Sequence, residues 1–174
     1  MEGFLNPEEI LNNLDIREDM TAVEFGCGAG IFSLSLAKKI KQGRVYGLDI
    51  QEEKLSALKN KALLEKLKNI VTICCDLEKK DGSTLHSDSA DIVLIPNILF
   101  QAENKNAIIE EGKRILKTGG QLMIIDWQKS SSLAPKQGTI TPDEIKKIAE
   151  DAGLSFKREF SAGGHHFALL FSKY

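Results

Sequence analysis

Val23-Glu24-Phe25-Gly26-Cys27-Gly28-Ala29-Gly30 is an apolar, strand-prone run that breaks into three glycines spaced two apart, followed by the helix-prone Ile31-Phe32-Ser33-Leu34. Glycine allows the positive φ of a sharp turn, and without a Cβ it lets a ligand reach main-chain N–H groups at a helix start. Strand, glycine turn and helix in that order form the first unit of an open α/β sheet, with a ligand site beyond the strand's carboxyl end. The third glycine comes one residue earlier than in the dinucleotide fingerprint, which here meets Ile31. That departure counts against an NAD(P)-dependent oxidoreductase.

Asp49 ends the next strand-like run, Arg44-Val45-Tyr46-Gly47-Leu48-Asp49. It follows the glycine turn by about twenty residues, the spacing at which a carboxylate on the second strand tip accepts both ribose hydroxyls. Further short apolar runs stand at Ile70 to Cys74, Ile92 to Ile95 and Leu122 to Ile125. Helical spacing lies between the runs: Ile31, Leu34, Leu36 and Ile40; Leu55, Leu58, Ala62 and Leu67; Ile108, Ile109, Ile115 and Leu116. Strands alternating with helices give a three-layer α/β sandwich.

Asn6-Pro7-Glu8-Glu9 reads as the start of a short helix running to about Leu14, and Thr141-Pro142-Asp143-Glu144 as a capping box. Leu154 to Phe160 and His166 to Phe171, joined by Ser161-Ala162-Gly163-Gly164, form a hairpin, so the seven-stranded, mostly parallel sheet closes with one reversed strand. That strand begins at the ligand edge, placing His165 and His166 near the site on opposite faces. Lys129 to Thr139, rich in Ser, Pro and Gly, is a site loop inside the domain.

The 174 residues, 42% apolar and 28% charged, suit one globular domain. A net charge of -2 gives no basic field for nucleic acid, and the lysines of the Glu52 to Lys68 helix read as a solvated face. Cys27, Cys74 and Cys75 have neither a disulfide nor a zinc spacing, so no metal site is expected and a cytoplasmic setting fits. The Met1 to Leu5 start lacks a signal-peptide pattern, and the longest apolar run, Ile92 to Phe100, is too short for a membrane span.

Taken in order, these residues resemble the class I S-adenosylmethionine-dependent methyltransferases, small members similar to the quinone-biosynthesis group. Val23 to Gly30 looks like the first motif, Asp49 the acidic second, Cys75-Asp76-Leu77 the third and Asp91 to Asn97 the fourth. Arg114-Ile115-Leu116-Lys117-Thr118-Gly119-Gly120 looks like the turn into the fifth strand. The resemblance implies a Rossmann-like fold with an N-terminal helix in residues 1–20 packed on a cofactor-binding domain in residues 21–174. Its cofactor is S-adenosyl-L-methionine and its product S-adenosyl-L-homocysteine. Glu24 and the turn Gly26, Cys27, Gly28 and Gly30 would hold the methionine part, and Asp49 the ribose. Ile50, Asp76 and the Leu77 N–H would hold the adenine, with Pro96 and Asn97 facing the sulfonium.

For the acceptor, Phe100 and Trp127 are candidate walls, Lys136 a candidate contact, and His165 or His166 a candidate proton acceptor. The absence of an Asn-Pro-Pro-Tyr-type motif after the fourth strand argues against nucleobase amino groups and glutamine amides, leaving a small-molecule acceptor. So little chain remains for acceptor recognition that an open site, closed by a second copy or a partner protein, is the expectation. The rival readings are a non-catalytic cofactor-binding subunit and a partner-dependent methyltransferase of RNA or protein.

Overall fold

The computed structural model describes residues 5–174; Met1 to Phe4, most of the stretch read above for a signal peptide, lie outside them. In chain order the elements are α1 (Pro7–Leu11), β1 (Thr21–Phe25), α2 (Ile31–Lys39), β2 (Arg44–Asp49), α3 (Glu52–Leu64), β3 (Ile70–Cys74) and β4 (Ala90–Pro96). A single 3-10 turn (Leu99–Gln101) then leads to α4 (Lys105–Ile115), β5 (Leu116–Trp127), α5 (Pro142–Asp151), β6 (Leu154–Ser161) and β7 (His166–Lys173). The seven strands lie in the order β3-β2-β1-β4-β5-β7-β6. Every pairing is parallel except those of β7, which runs antiparallel to β5 and β6. The expected α/β sheet with one reversed strand is thus the observed one.

Burial explains the layers. β1, β4 and β5 are covered on both faces, which is why they read as continuous apolar runs and not as alternation. One face packs Val23, Phe25, Val93, Ile95, Ile124 and Phe171 against α4 and α5, including Ile109 and Ile145. The other packs Ala22, Ile92, Leu94, Met123, Ile125 and Leu170 against α1 and α2, including Leu11 and Leu36. Phe167, Leu169 and Phe171 fall on the first face and Ala168 and Leu170 on the second, the alternation expected of the hairpin. Sequence order steps from β1 outward to β3, then returns to β4 on β1's other side. That reversal opens a crevice at the carboxyl ends of β1 and β4.

Three expectations shift. Asn6 caps α1 by accepting from the Glu8 N–H at 3.2 Å, but the helix stops at Leu11, and Leu14 reaches the core from the following turn. α4 ends at Ile115, and Leu116 already pairs with Ala90 in the sheet; Lys117 to Gly120 form an excursion before Gln121 rejoins opposite Ile92. The Lys117 ammonium anchors that excursion to Asp91 at 2.9 Å. Ile31 belongs to no core: at the first position of α2 it is 54% exposed and lines the crevice.

One buried polar cluster holds the segment between β3 and β4. Glu111 on α4 receives Arg114 at 2.7 and 2.8 Å, the Ser83 N–H at 3.0 Å and the Ser83 hydroxyl, while Arg114 also donates to the Leu85 carbonyl at 2.8 Å. Arg114, singled out within a sequence motif, therefore has a structural partner here.

Candidate functional site

β1 runs out at Phe25 into a turn in which Gly26, Gly28 and Gly30 take φ values of +67, +50 and +85°. The turn is sewn to β2 by the Cys27 N–H, which donates to the Leu48 carbonyl at 2.8 Å, and closed by the Gly30 N–H to the Cys27 carbonyl at 2.8 Å. A Cβ at Gly26 would collide with the Ile98 side chain and one at Gly30 with Leu58, whereas at Gly28 it would meet nothing. Gly26 and Gly30 thus let neighbouring elements close in, and Gly28 faces open space.

Asp49, at the tip of β2, accepts the Gly28 N–H at 2.8 Å through Oδ2 and the Gln51 N–H at 2.9 Å through Oδ1. It braces the glycine turn as well as bordering the crevice. Glu24 is 1% exposed. Its Oε2 accepts the Ser33 N–H at 2.8 Å and the Ser33 hydroxyl, which leaves Oε1 for the crevice. Burial pushes its carboxyl up to about 8 against the pull of the Ser33 bonds, with the Asp49 charge adding to the rise. Asp76, beyond β3, accepts the Glu78 N–H at 3.0 Å and pairs with Lys79 at 3.5 Å.

These groups line one cavity of about 540 Å³, within the size range of small-molecule sites. Glu24, Gly26, Cys27, Gly28, Asp49, Ile50, Asp76, Leu77, Pro96 and Asn97 all border it. Gly30 does not; it sets the start of α2 behind the turn. Phe100, Trp127, Lys136, His165 and His166 also lie off its wall. His165 Nδ1 is 2.9 Å from the Ser131 hydroxyl, tying the hairpin to the Lys129 to Thr139 loop. His166 is buried with neither ring nitrogen partnered among the described residues, and it stacks on Trp127 with centroids 4.1 Å apart. Lys136 is exposed on the loop.

Sequence reading missed Ile31, Lys54, Ile98 and Gln101 as wall residues. Ile98 and Gln101 enter only because the chain turns at Asn97, whose φ of 53° is unusual for a residue with a Cβ. The Asn-bearing strand exit was the available signal for that turn. Cys27 is buried, with burial raising its thiol well above the ordinary range, and burial likewise pushes Cys75 up to about 12, so neither is a reactive thiolate.

The cavity's chemistry selects among nucleotide-like ligands. Its acidic wall residues are Asp49, Asp76 and Glu78, with Glu24 largely protonated at pH 7, against Lys54 alone among the described residues, a set that repels pyrophosphate and suits a cationic, phosphate-free ligand. Ile31 and Ile50, 54% and 63% exposed, offer apolar area at its mouth. Asn97 Oδ1 is buried beside the turn without a partner among the described residues, an acceptor that a ligand donor would satisfy. A nucleoside joined to a cationic amino-acid tail fits this set, and the residues present therefore suit S-adenosylmethionine.

Comparison with known proteins agrees. A family described as the methyltransferase domain matches residues 16–153. The chain is 27% identical to a ubiquinone biosynthesis O-methyltransferase of Hydrogenovibrio crunogenus, over 95% of this chain and 73% of the relative. It is 25% identical to a demethylmenaquinone methyltransferase of Bacillus cereus over 76% of this chain, and spans 55% of that protein. Among solved structures, a SAM-dependent methyltransferase from Aquifex aeolicus superposes with a TM-score of 0.87 at 26% identity, over 98% of this chain and 90% of the other. The glycine turn, the three acidic strand tips and this match together place the chain in the methyltransferase domain family, among the S-adenosylmethionine-dependent methyltransferases.

Proposed function

We propose that this chain methylates a small organic acceptor presented at the carboxyl edge of the sheet, beside Asn97 and Gln101. The observation that carries the reading is the single acidic cavity into which β1, β2, β3 and β4 each deliver a predicted residue. Bound S-adenosylmethionine supplies a methyl group already activated by a positive sulfur, with a neutral thioether as leaving group. The protein's task is then alignment and exclusion of water. In this reading Asp49 holds the ribose diol while its other contacts keep the glycine turn rigid. Asp76 and Leu77 address the adenine between Ile50 and the turn, and Glu24 neutralises the ammonium. Pro96 and Asn97 border the position of the methyl group.

His166 is the proton acceptor we assign for acceptors that must lose a proton. Burial pulls its imidazole down to about 4, so it is neutral at pH 7, and both nitrogens are free of protein partners among the described residues. It is buried against Trp127 and lies off the cavity wall, so an acceptor that uses it must reach beyond that wall. His165 instead anchors the loop through Ser131.

The names of relatives suggest the first acceptors to try: demethylated quinones and malonyl thioesters. Radiolabelled methyl transfer to these and to metabolite extract fractions tests the activity. Titration with S-adenosylhomocysteine and with NADH tests the site beneath it. Binding of the first alone is the expected result; binding of NADH alone, or of neither, refutes the proposal.

A further inference from the structure

Asp126 stands one residue before the end of β5 and is fully buried, yet among the described residues no cation lies within bonding distance. A buried carboxylate without a salt-bridge partner is costly and persists where its hydrogen bonds hold something in place. Here Oδ1 accepts the Trp127 N–H at 2.8 Å and Oδ2 accepts the Phe100 N–H at 3.3 Å. One side chain thus bridges the end of β5 and the 3-10 turn that follows β4. The chain enters that turn through Asn97, whose own N–H donates to the Ile125 carbonyl at 2.8 Å, and the segment brings Ile98 and Gln101 to the cavity wall. Its far side is seated on the Lys129 to Thr139 loop, where Gly138 packs so closely on the Phe100 carbonyl that a Cβ would collide with it.

We propose that Asp126 is a positioning residue for methyl transfer: by holding the Phe100 and Trp127 N–H groups it fixes the Asn97 to Gln101 turn and so the acceptor-side wall of the cavity. Asp126 does not line the cavity, so it acts through that turn. The proposal rests on the methyltransferase reading for its consequence, and on the hydrogen bonds alone for its mechanical part.

Protonation supplies a reversible way to loosen the clamp. Burial pushes the Asp126 carboxyl up to about 6, against the pull of the Trp127, Phe100 and Leu99 N–H groups. Around it, α4 contributes Lys105, whose charge favours the carboxylate; the 3-10 turn contributes no titratable group, and the β7 partner of Asp126 is Phe167. His166, beside Trp127, titrates near 4 and stays neutral across the Asp126 transition.

The test compares wild type with Asp126→Asn and Asp126→Glu. Trp127 is the only tryptophan, so its emission reports this corner directly. Wild-type emission is expected to titrate with a midpoint near 6 and Asp126→Asn to show no such transition. Amide exchange at Phe100 should quicken at least ten-fold in Asp126→Asn while that at Asn97, which is held by a main-chain carbonyl, stays slow. With an acceptor from the screen above, kcat should fall at least ten-fold, with partial recovery in Asp126→Glu and a KM for S-adenosylmethionine within three-fold of wild type.

Unchanged Phe100 exchange, or unchanged turnover alongside faster exchange, overturns the proposal. A loss of fold shows as loss of Asn97 protection and is then replaced as a test by the wild-type pH titration, where a missing transition near 6 overturns the clamp. Failure of wild type to bind S-adenosylhomocysteine overturns the methyltransferase reading instead, and leaves the exchange result to judge the clamp.

Discussion

Lowering the pH should weaken cofactor binding through Glu24, by an amount that follows from its burial. The carboxyl titrates near 8 in the free protein, so at pH 7 about one molecule in ten carries the charge that an ammonium needs. If only the ionised form pairs with the ligand's ammonium, apparent affinity scales with that fraction, which rises about twenty-fold from pH 6 to 7.5. Binding at pH 7 should release roughly 0.9 proton per ligand. Calorimetry of S-adenosylhomocysteine in two buffers of different ionisation enthalpy measures both quantities at once.

The Glu24→Gln variant retains an acceptor for Ser33 but cannot ionise, so its affinity should be weak and flat with pH. The stability effect has the opposite sign. A carboxyl raised from 4.5 to about 8 favours the folded state fully below 4.5, and that contribution is lost as pH rises through 8. Wild type should therefore lose stability relative to Glu24→Gln between pH 5 and 9 in thermal melts. An affinity that is constant from pH 6 to 7.5, with no proton release, would refute the assignment of Glu24 to the ammonium.

Three further outcomes follow from contacts described above. Asp49→Ala removes both the proposed ribose acceptor and the brace on Gly28, and should weaken S-adenosylhomocysteine binding ten-fold or more, about 1.4 kcal/mol; an unchanged titration curve would rule out the ribose role. Gly26→Ala must place a Cβ at positive φ and against Ile98, and should lower the melting temperature by several degrees, on the order of 1–2 kcal/mol, with weaker cofactor binding; a neutral melt contradicts the packing argument. Glu111→Gln leaves the partly buried Arg114 only the exposed Asp81, at 3.2 Å, as a counter-ion and should cost about 2 kcal/mol in denaturant unfolding at pH 7. Burial opposes ionisation of Glu111, but Arg114 and Ser83 outweigh it and hold the carboxyl below 4.5, so its contribution is present above 4.5 and fades as pH falls through the folded value. A variant that matches wild type at neutral pH counts against the network.

Sequence by itself determined the sheet, the reversed last strand and Asp49 as an acidic strand tip. These are properties of local pattern: apolar runs long enough to be strands, three glycines where the chain must turn, and a carboxylate at the end of a strand whose direction is set by its connection. Asp49 could be singled out because its place along the chain also fixes its place at the sheet edge; Glu24 and Asp76 entered through the family resemblance. The boundary at Leu116 could not, because helix and strand spacing both suit Ile115-Leu116, and pairing with Ala90 decided between them.

Only the tertiary structure decided what depends on burial and on contacts between distant segments. It took Ile31 out of the core and placed it at the cavity mouth, left the Asn97 oxygen and the His166 ring without partners among the described residues, and set His166 off the cavity wall. It also brought the buried Asp126 carboxylate to the Phe100 N–H, 26 residues away. A carboxylate's charge state and its partners follow from the solvent removed around it and the N–H groups brought to it, and neither is written in its neighbours along the chain.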